Sequence, residues 1–184
     1  MSTVVTVIVV VVVVLLLAGV AVVIARQARS RRLQQQFGGE YAQTVESSSS
    51  RRDAERELTR RARRHEKLDI RPLDPRRQAE YGQNWMRTQE QFVDDPANSV
   101  KQADRLVTLV MQERGYPTDS FEQQVSDVSV QHGSVTSNYR AAHEIAQLNN
   151  RGAATTEQLR EAMLHYRVLF DELLREGSDV GNNS

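Results

Sequence analysis

The chain has 184 residues, 39% hydrophobic and 26% charged, with 24 basic side chains balanced by 24 acidic ones and no cysteine. That length suits one domain of about 100–150 residues plus an appendage. The lack of cysteine excludes a disulfide scaffold, thiolate-ligated zinc, iron–sulfur clusters and cysteine nucleophiles.

The N-terminal 25 residues predict a membrane span. Val4 to Ala25 is apolar except at Thr6 and Gly19, and six valines follow one another at 9–14. Twenty-two helical residues reach roughly 33 Å, enough for a hydrocarbon core of about 30 Å. Valine is a mediocre helix former in water, but a bilayer leaves unpaired backbone no alternative to the helix. A secretory signal would need a basic N-terminal region, a shorter apolar core and a small-residue cleavage site. Met1-Ser2-Thr3 has no charged side chain and the run is too long, so the segment reads as an uncleaved anchor. Arg26, Arg29, Arg31 and Arg32 follow at once. The positive-inside rule then predicts a plasma-membrane protein whose C-terminal domain is cytoplasmic.

Residues 26–67 read as a basic juxtamembrane connector. Helix is expected to run past Arg32 towards Gln36, to break at Gly38-Gly39, and to give way to a flexible polar tract at Ser47–Ser50. Arg51 to Lys67 is a charged helix candidate, with Arg52, Arg56, Arg60 and Arg64 on one face. Its apolar seam of Ala54, Leu58 and Ala62 is expected to be too thin to bury much. Residues 26–77 hold 15 Arg/Lys against 8 Asp/Glu, whereas residues 78–184 hold 9 against 16. The charged helix therefore reads either as a solvated, self-paired spacer or as one that docks on the acidic remainder on Coulomb grounds, subject to screening by salt.

Residues 68–176 predict a compact bundle of four main helices and a short one. Leu68 to Leu73 is an extended strap. Asp74-Pro75 and Asp95-Pro96 each pair an N-cap with proline at the first helical position. The first of these helices carries Tyr81, Trp85 and Phe92, with Gly82 an internal weakness. The second carries Val100, Ala103, Leu106, Val107, Val110 and Met111 at helical spacing and stops at Gly115 and Pro117. A short helix holds Phe121, Val125 and Val128, although Ser126 to Val130 also alternates like a strand. Val135, Tyr139, Ala142, Ile145 and Ala146 mark the next helix. Thr155 with Gln158 forms a capping box for the last, whose stripe is Leu159, Ala162, Met163, Tyr166, Phe170 and Leu173. Residues 177–184 read as a flexible tail. The predicted fold class is all-α: a transmembrane helix, a charged juxtamembrane helix and a four- to five-helix bundle.

The segments HEKLDIRPL (65–73), FVDDPANSVKQADRLVTLVMQERGYPTDSFEQ (92–123) and NYRAAHEIAQLNNRGAATTEQLREAMLHYRVLFDELL (138–174) resemble a largely actinobacterial family of small single-pass membrane proteins of unknown function. FGGEY (37–41) is also similar, with Gly39 standing where that family has proline. The resemblance implies a single-pass membrane protein and no activity, so no residue role is carried over.

The chemistry-bearing candidates are few. None of His65, His132, His143 and His165 belongs to a metal-ligand helix motif. His143 beside Glu144, and His165 four residues after Glu161, are the best seeds for a metal or acid/base cluster. A metal needs three or four convergent ligands, and an ordinary surface pair accounts for Glu161–His165 equally well. Asp94-Asp95 suits a helix cap better than a cation site. Gly38-Gly39 lacks the Lys-Ser/Thr partner of a phosphate loop, and Ser47–Ser50 lacks a nucleophile elbow. No cofactor motif is present, and the expectation is a protein without catalytic activity.

Three readings remain. The leading one is a membrane-anchored interaction or scaffold domain that binds an unidentified protein or itself, with Arg26, Arg29, Arg31 and Arg32 touching anionic lipid. An enzyme or metal protein built on His143, His165 and nearby carboxylates is the alternative. The third is nucleic-acid binding through Arg51 to Arg64, against which Asp53, Glu55 and Glu57 interrupt the charge and no aromatic residue interleaves.

Overall fold

The computed structural model describes residues 2–175, with the side chains at 2–6, 9, 10 and 12 left aside. The tail expected at 177–184 lies outside the described residues. The described chain is all-helical: α1 (Ser2–Phe37), α2 (Gly39–Ser47), α3 (Arg51–His65), α4 (Pro75–Gln91), α5 (Pro96–Glu113), α6 (Phe121–Gln131), α7 (Thr136–Asn150) and α8 (Thr156–Arg175).

Local signals set most of the boundaries. The Asp74 carboxylate accepts from Arg76 N at 2.8 Å, and the Asp95 carboxylate accepts from Asn98 N at 3.1 Å. At the head of α8, Thr155 and Gln158 cap each other reciprocally: Gln158 N donates to Thr155 Oγ1 at 3.2 Å and Thr155 N donates to Gln158 Oε1 at 2.9 Å. Between α3 and α4 the strap 68–73 is extended, and Arg71 N donates to Arg114 O at 2.9 Å. Gly82 does not interrupt α4. The alternating stretch Ser126–Val130 is helical, and every residue from Gln124 to Val130 is buried, which explains why its pattern has no clear period.

The main core lies between α4, α5, α6, α7 and α8. Val100, Ala103, Val107, Val110 and Met111 of α5 meet Tyr139 and Ala142 of α7 and Ala162, Tyr166, Leu169 and Phe170 of α8. Trp85 stacks on Phe170 with ring centres 4.6 Å apart and planes 20° apart, locking α4 to α8.

A second, smaller core corrects the reading of residues 26–50 as a loose connector. Leu33 and Phe37 at the end of α1, Tyr41 of α2, Leu58 of α3 and Val130 of α6 bury one another, with Val45 and Ala62 packed alongside. Residues 39–47, expected as linker, form α2 and bury Glu40, Tyr41 and Thr44. The thin seam of α3 is buried after all, with Ala54 and Leu58 fully enclosed, because α1, α2 and α6 supply the apolar atoms that α3 lacks. The chain turns from α1 into α2 at Gly38, whose φ of 51° suits glycine. That turn rests on Gly133, after α6, where a Cβ would sit 2.4 Å from Phe37 O. Glycine at 133 therefore permits the end of α1 to lie directly on the bundle backbone.

Upstream of this module, the described side chains of α1 are bare. The described large apolar side chains from Val7 to Ile24 are each 47–66% exposed, so no other part of the described chain covers them. One N-terminal helix is thus apolar and long enough to span a membrane.

Candidate basic cleft and docking hubs

Just below the apolar stretch, α1 and the first turns of α3 enclose a cleft of about 580 Å³. From α1, Val23, Arg26, Gln27 and Ser30 line it at i, i+3, i+4 and i+7, which is one helical face, joined by Arg29. From α3 come Arg51, Arg52, Glu55 and Arg56.

The helix hairpin of α2 brings residue 51 back to the level of residue 30. Arg51 Nη2 donates to Ser30 Oγ at 2.5 Å, and Arg51 Nε donates to Tyr41 Oη at 3.0 Å and Glu55 Oε1 at 3.2 Å. The Tyr41 bond and then the Glu55 bond raise the Arg51 pKa above its ordinary value. Burial acts to raise the Glu55 pKa, but hydrogen bonds from Ser30, Tyr41 and Arg51 outweigh it and hold the carboxyl below its ordinary range. Glu55 is therefore a fixed carboxylate whose charge Arg51 answers. Across the cleft Arg29 Nη2 donates to Thr59 Oγ1 at 2.8 Å. At the head of α3, Ser50 Oγ caps Asp53 N at 3.2 Å, and hydrogen bonds from Ser50 and Ser49 depress the Asp53 pKa.

Two charged hubs fasten this module to the bundle. The Glu40 side chain is 1% exposed and accepts from Arg61 of α3 at 2.9 Å and Arg140 of α7 at 2.8 Å. Arg64 of α3 donates to Asp127 Oδ1 at 3.1 Å and Ser126 Oγ at 2.6 Å on α6, and Gln123 closes on the other Asp127 oxygen. The Asp127 side chain is completely buried. Docking of the connector thus occurs, but through matched pairs of both polarities. In the Glu40 hub the nominally basic connector supplies the acid and the acidic bundle supplies an arginine.

Of the four arginines singled out beside the membrane, Arg26 and Arg29 line the cleft, whereas Arg31 and Arg32 point away from it, exposed. The stripe Arg52, Arg56, Arg60 and Arg64 does not act as one surface. Arg52 and Arg56 face the cleft, Arg60 pairs with Glu57 at 2.7 Å, and Arg64 docks on α6. With Arg61 and Arg64 turned onto buried carboxylates, α3 presents no unbroken arginine face.

His143 and His165 have separate partners. His143 stacks on Phe121 at 3.6 Å between ring centres, and burial pushes its imidazole below the ordinary 6.5. His165 Nδ1 lies 2.8 Å from Asn138 Oδ1, and its Nε2 lies 3.6 Å from Glu161. Among the described residues no group of three or more His, Asp or Glu is placed to hold a metal ion. The buried histidines are the other two. His132 faces Glu172 at 3.4 Å and Tyr116 Oη at 3.5 Å, and His65 lies 6.0 Å from the Tyr116 ring, at the seam between α3 and the bundle. Periodicity missed them because each sits at a helix end, His65 closing α3 and His132 capping α6.

Fold and cleft together define a class, an all-α protein with one N-terminal helix fit to cross a membrane. Compared with known proteins, the chain matches no protein-family model, no curated protein and no solved structure.

Proposed function

We propose that the chain is a single-pass plasma-membrane protein of the largely actinobacterial family it resembles. Its helical domain stands on the cytoplasmic side as a non-enzymatic interaction or scaffold module, binding a partner protein or a second copy of itself. The observation that carries this reading is the continuity of α1: the helix whose described apolar side chains from Val7 to Ile24 are bare ends as a buried part of the folded domain. A domain joined in this way is held at a fixed height and angle above the bilayer, which suits presentation of a surface. Arg26, Arg29, Arg31 and Arg32 sit at the water boundary and contact anionic lipid, each contributing about 1 kcal/mol.

The orientation follows from charge. Four arginines lie within seven residues after Ala25 and no charged side chain lies before it, so retaining the arginine side in the cytoplasm is favoured. Because the chain has no cysteine, Asn150→Cys at the exposed end of α7 provides a lone reporter. The protein should stay in the membrane pellet through an alkaline carbonate wash. The thiol should resist a membrane-impermeant reagent in intact cells and react after permeabilisation. Reaction in intact cells would reverse the topology, and release by carbonate would remove the anchor.

A further inference from the structure

We infer that the cleft between α1 and the first turns of α3 is a one-to-one seat for the phosphate-bearing headgroup of an anionic membrane lipid. The inference rests on the membrane reading above and narrows it from a diffuse attraction to a defined site.

Position is the first argument. Val23, at the lip, belongs to the last turns of the exposed apolar stretch, and Ser30 lies seven residues further along the same face. That separation is about 10 Å along the helix, enough to cross the headgroup layer of one leaflet, about 5–8 Å thick. A lipid lying along α1 would have its tails on the apolar face and its phosphate level with the cleft.

Charge is the second. Arg26, Arg29, Arg51, Arg52 and Arg56 line the cleft against one carboxylate, Glu55, already engaged by Tyr41 and Arg51, and Arg56 also pairs with Asp53 at 3.4 Å. Arg26 and Arg52 make no side-chain hydrogen bond or ion pair among the described residues. Guanidinium groups bind phosphate through paired N–H donors, and two free ones on facing helices supply such a clamp.

Preorganisation is the third. Ser30, Tyr41 and Glu55 fix Arg51, and Thr59 fixes Arg29, so the walls are built before any ligand arrives. A volume of about 580 Å³ accommodates a headgroup. A polybasic tail attracting a membrane by charge alone would need none of this.

The test compares two double variants of equal charge loss in the full-length protein. Arg52→Gln with Arg56→Gln empties the cleft wall, and Arg31→Gln with Arg32→Gln removes charge outside it. Phosphatidylglycerol is titrated into the protein in neutral detergent and bound lipid is counted by native mass spectrometry, with phosphatidylcholine as the comparison. The wild type should saturate at one phosphatidylglycerol per chain. The cleft pair should weaken binding roughly thirtyfold, as expected for losing two charge-assisted phosphate contacts of about 1 kcal/mol each, and the outer pair, whose attraction acts at a bilayer surface that neutral detergent does not present, by only about twofold. Arg26→Gln, on the opposite wall, should repeat the cleft result in part if the α3 pair fails to fold. Equal losses in both pairs, or several lipids bound without saturation, would overturn the seat while leaving the membrane contact standing. No preference for phosphatidylglycerol over phosphatidylcholine in any variant would overturn both. Displacement of the lipid by equimolar glycerol phosphate would mark a site for a soluble phosphate ester and overturn the lipid assignment.

Discussion

Replacing Phe170 by alanine should destabilise the bundle by about 3–5 kcal/mol, the usual cost of removing a buried aromatic side chain. Phe170 is 1% exposed, lies on the α8 stripe and stacks on Trp85 of α4. Its loss opens a cavity where α4, α5 and α8 meet and strips the indole of its stacking partner. Among the described residues Trp85 Nε1 has no hydrogen-bond partner, and the stack on Phe170 holds that ring in place. Domains of this size are stable by only about 5–15 kcal/mol, so the variant should sit close to unfolding. Trp85 is the only tryptophan in the chain, and its fluorescence during urea titration reports on this seam directly. The urea midpoint should fall sharply, with helical circular dichroism falling in step. An unchanged midpoint would mean that the α4–α8 contact is not part of the stabilising core.

Glu40→Ala should produce a loss of about 3 kcal/mol, at the lower end of the range for breaking a buried ion pair by removing one partner. The lower end applies because Arg61 and Arg140 keep 16% and 29% side-chain exposure and regain some hydration when the carboxylate goes. The effect should be local. Glu40 joins α2 to α3 and α7, whereas the main core of α4 to α8 does not depend on it. Trypsin discriminates the two regions because α3 is rich in arginine. Cleavage between Arg51 and Arg64 should accelerate strongly in the variant, while the fragment carrying α4 to α8 remains resistant. Uniformly faster cleavage would show instead that Glu40 supports the whole fold.

The contrast between these two sites shows what the sequence makes legible. Phe170 announces itself through spacing with Leu159, Ala162, Met163 and Tyr166, because a single helix stripe is a local pattern. The caps at Asp74, Asp95 and Thr155 are local as well, each completed within three residues. Glu40 carries no such sign, since its partners lie 21 and 100 residues away. Its helix α2 escaped recognition because its buried face is Glu40, Tyr41 and Thr44, two of them polar, and because the Gly38 break hides the continuation of Phe37 into Tyr41. In α3, Ala54, Leu58 and Ala62 form a seam that is thin taken by itself yet fully used in the fold. Burial of a seam depends on what others bring to it, and here Phe37, Tyr41 and Val130 bring most of the apolar atoms. The cleft was half visible. Arg26 and Arg29 stand beside the anchor in sequence, but their facing wall comes from residues 51–56 and is placed there only by the α2 hairpin.

In this structure α1, α2 and α3 form one rigid mount with the bundle instead of a flexible tether. The most direct measurement is the distance between spin labels at Gln43→Cys on α2 and Asn150→Cys at the far end of α7, both exposed, in the full-length cysteine-free chain reconstituted in a bilayer. Pulsed dipolar spectroscopy should give one narrow distance distribution that keeps its position between low and high salt, because the Glu40 and Asp127 hubs are buried from screening ions. A broad distribution, or one that spreads as salt rises, would mean that residues 26–67 are a charged tether resting loosely on the bundle.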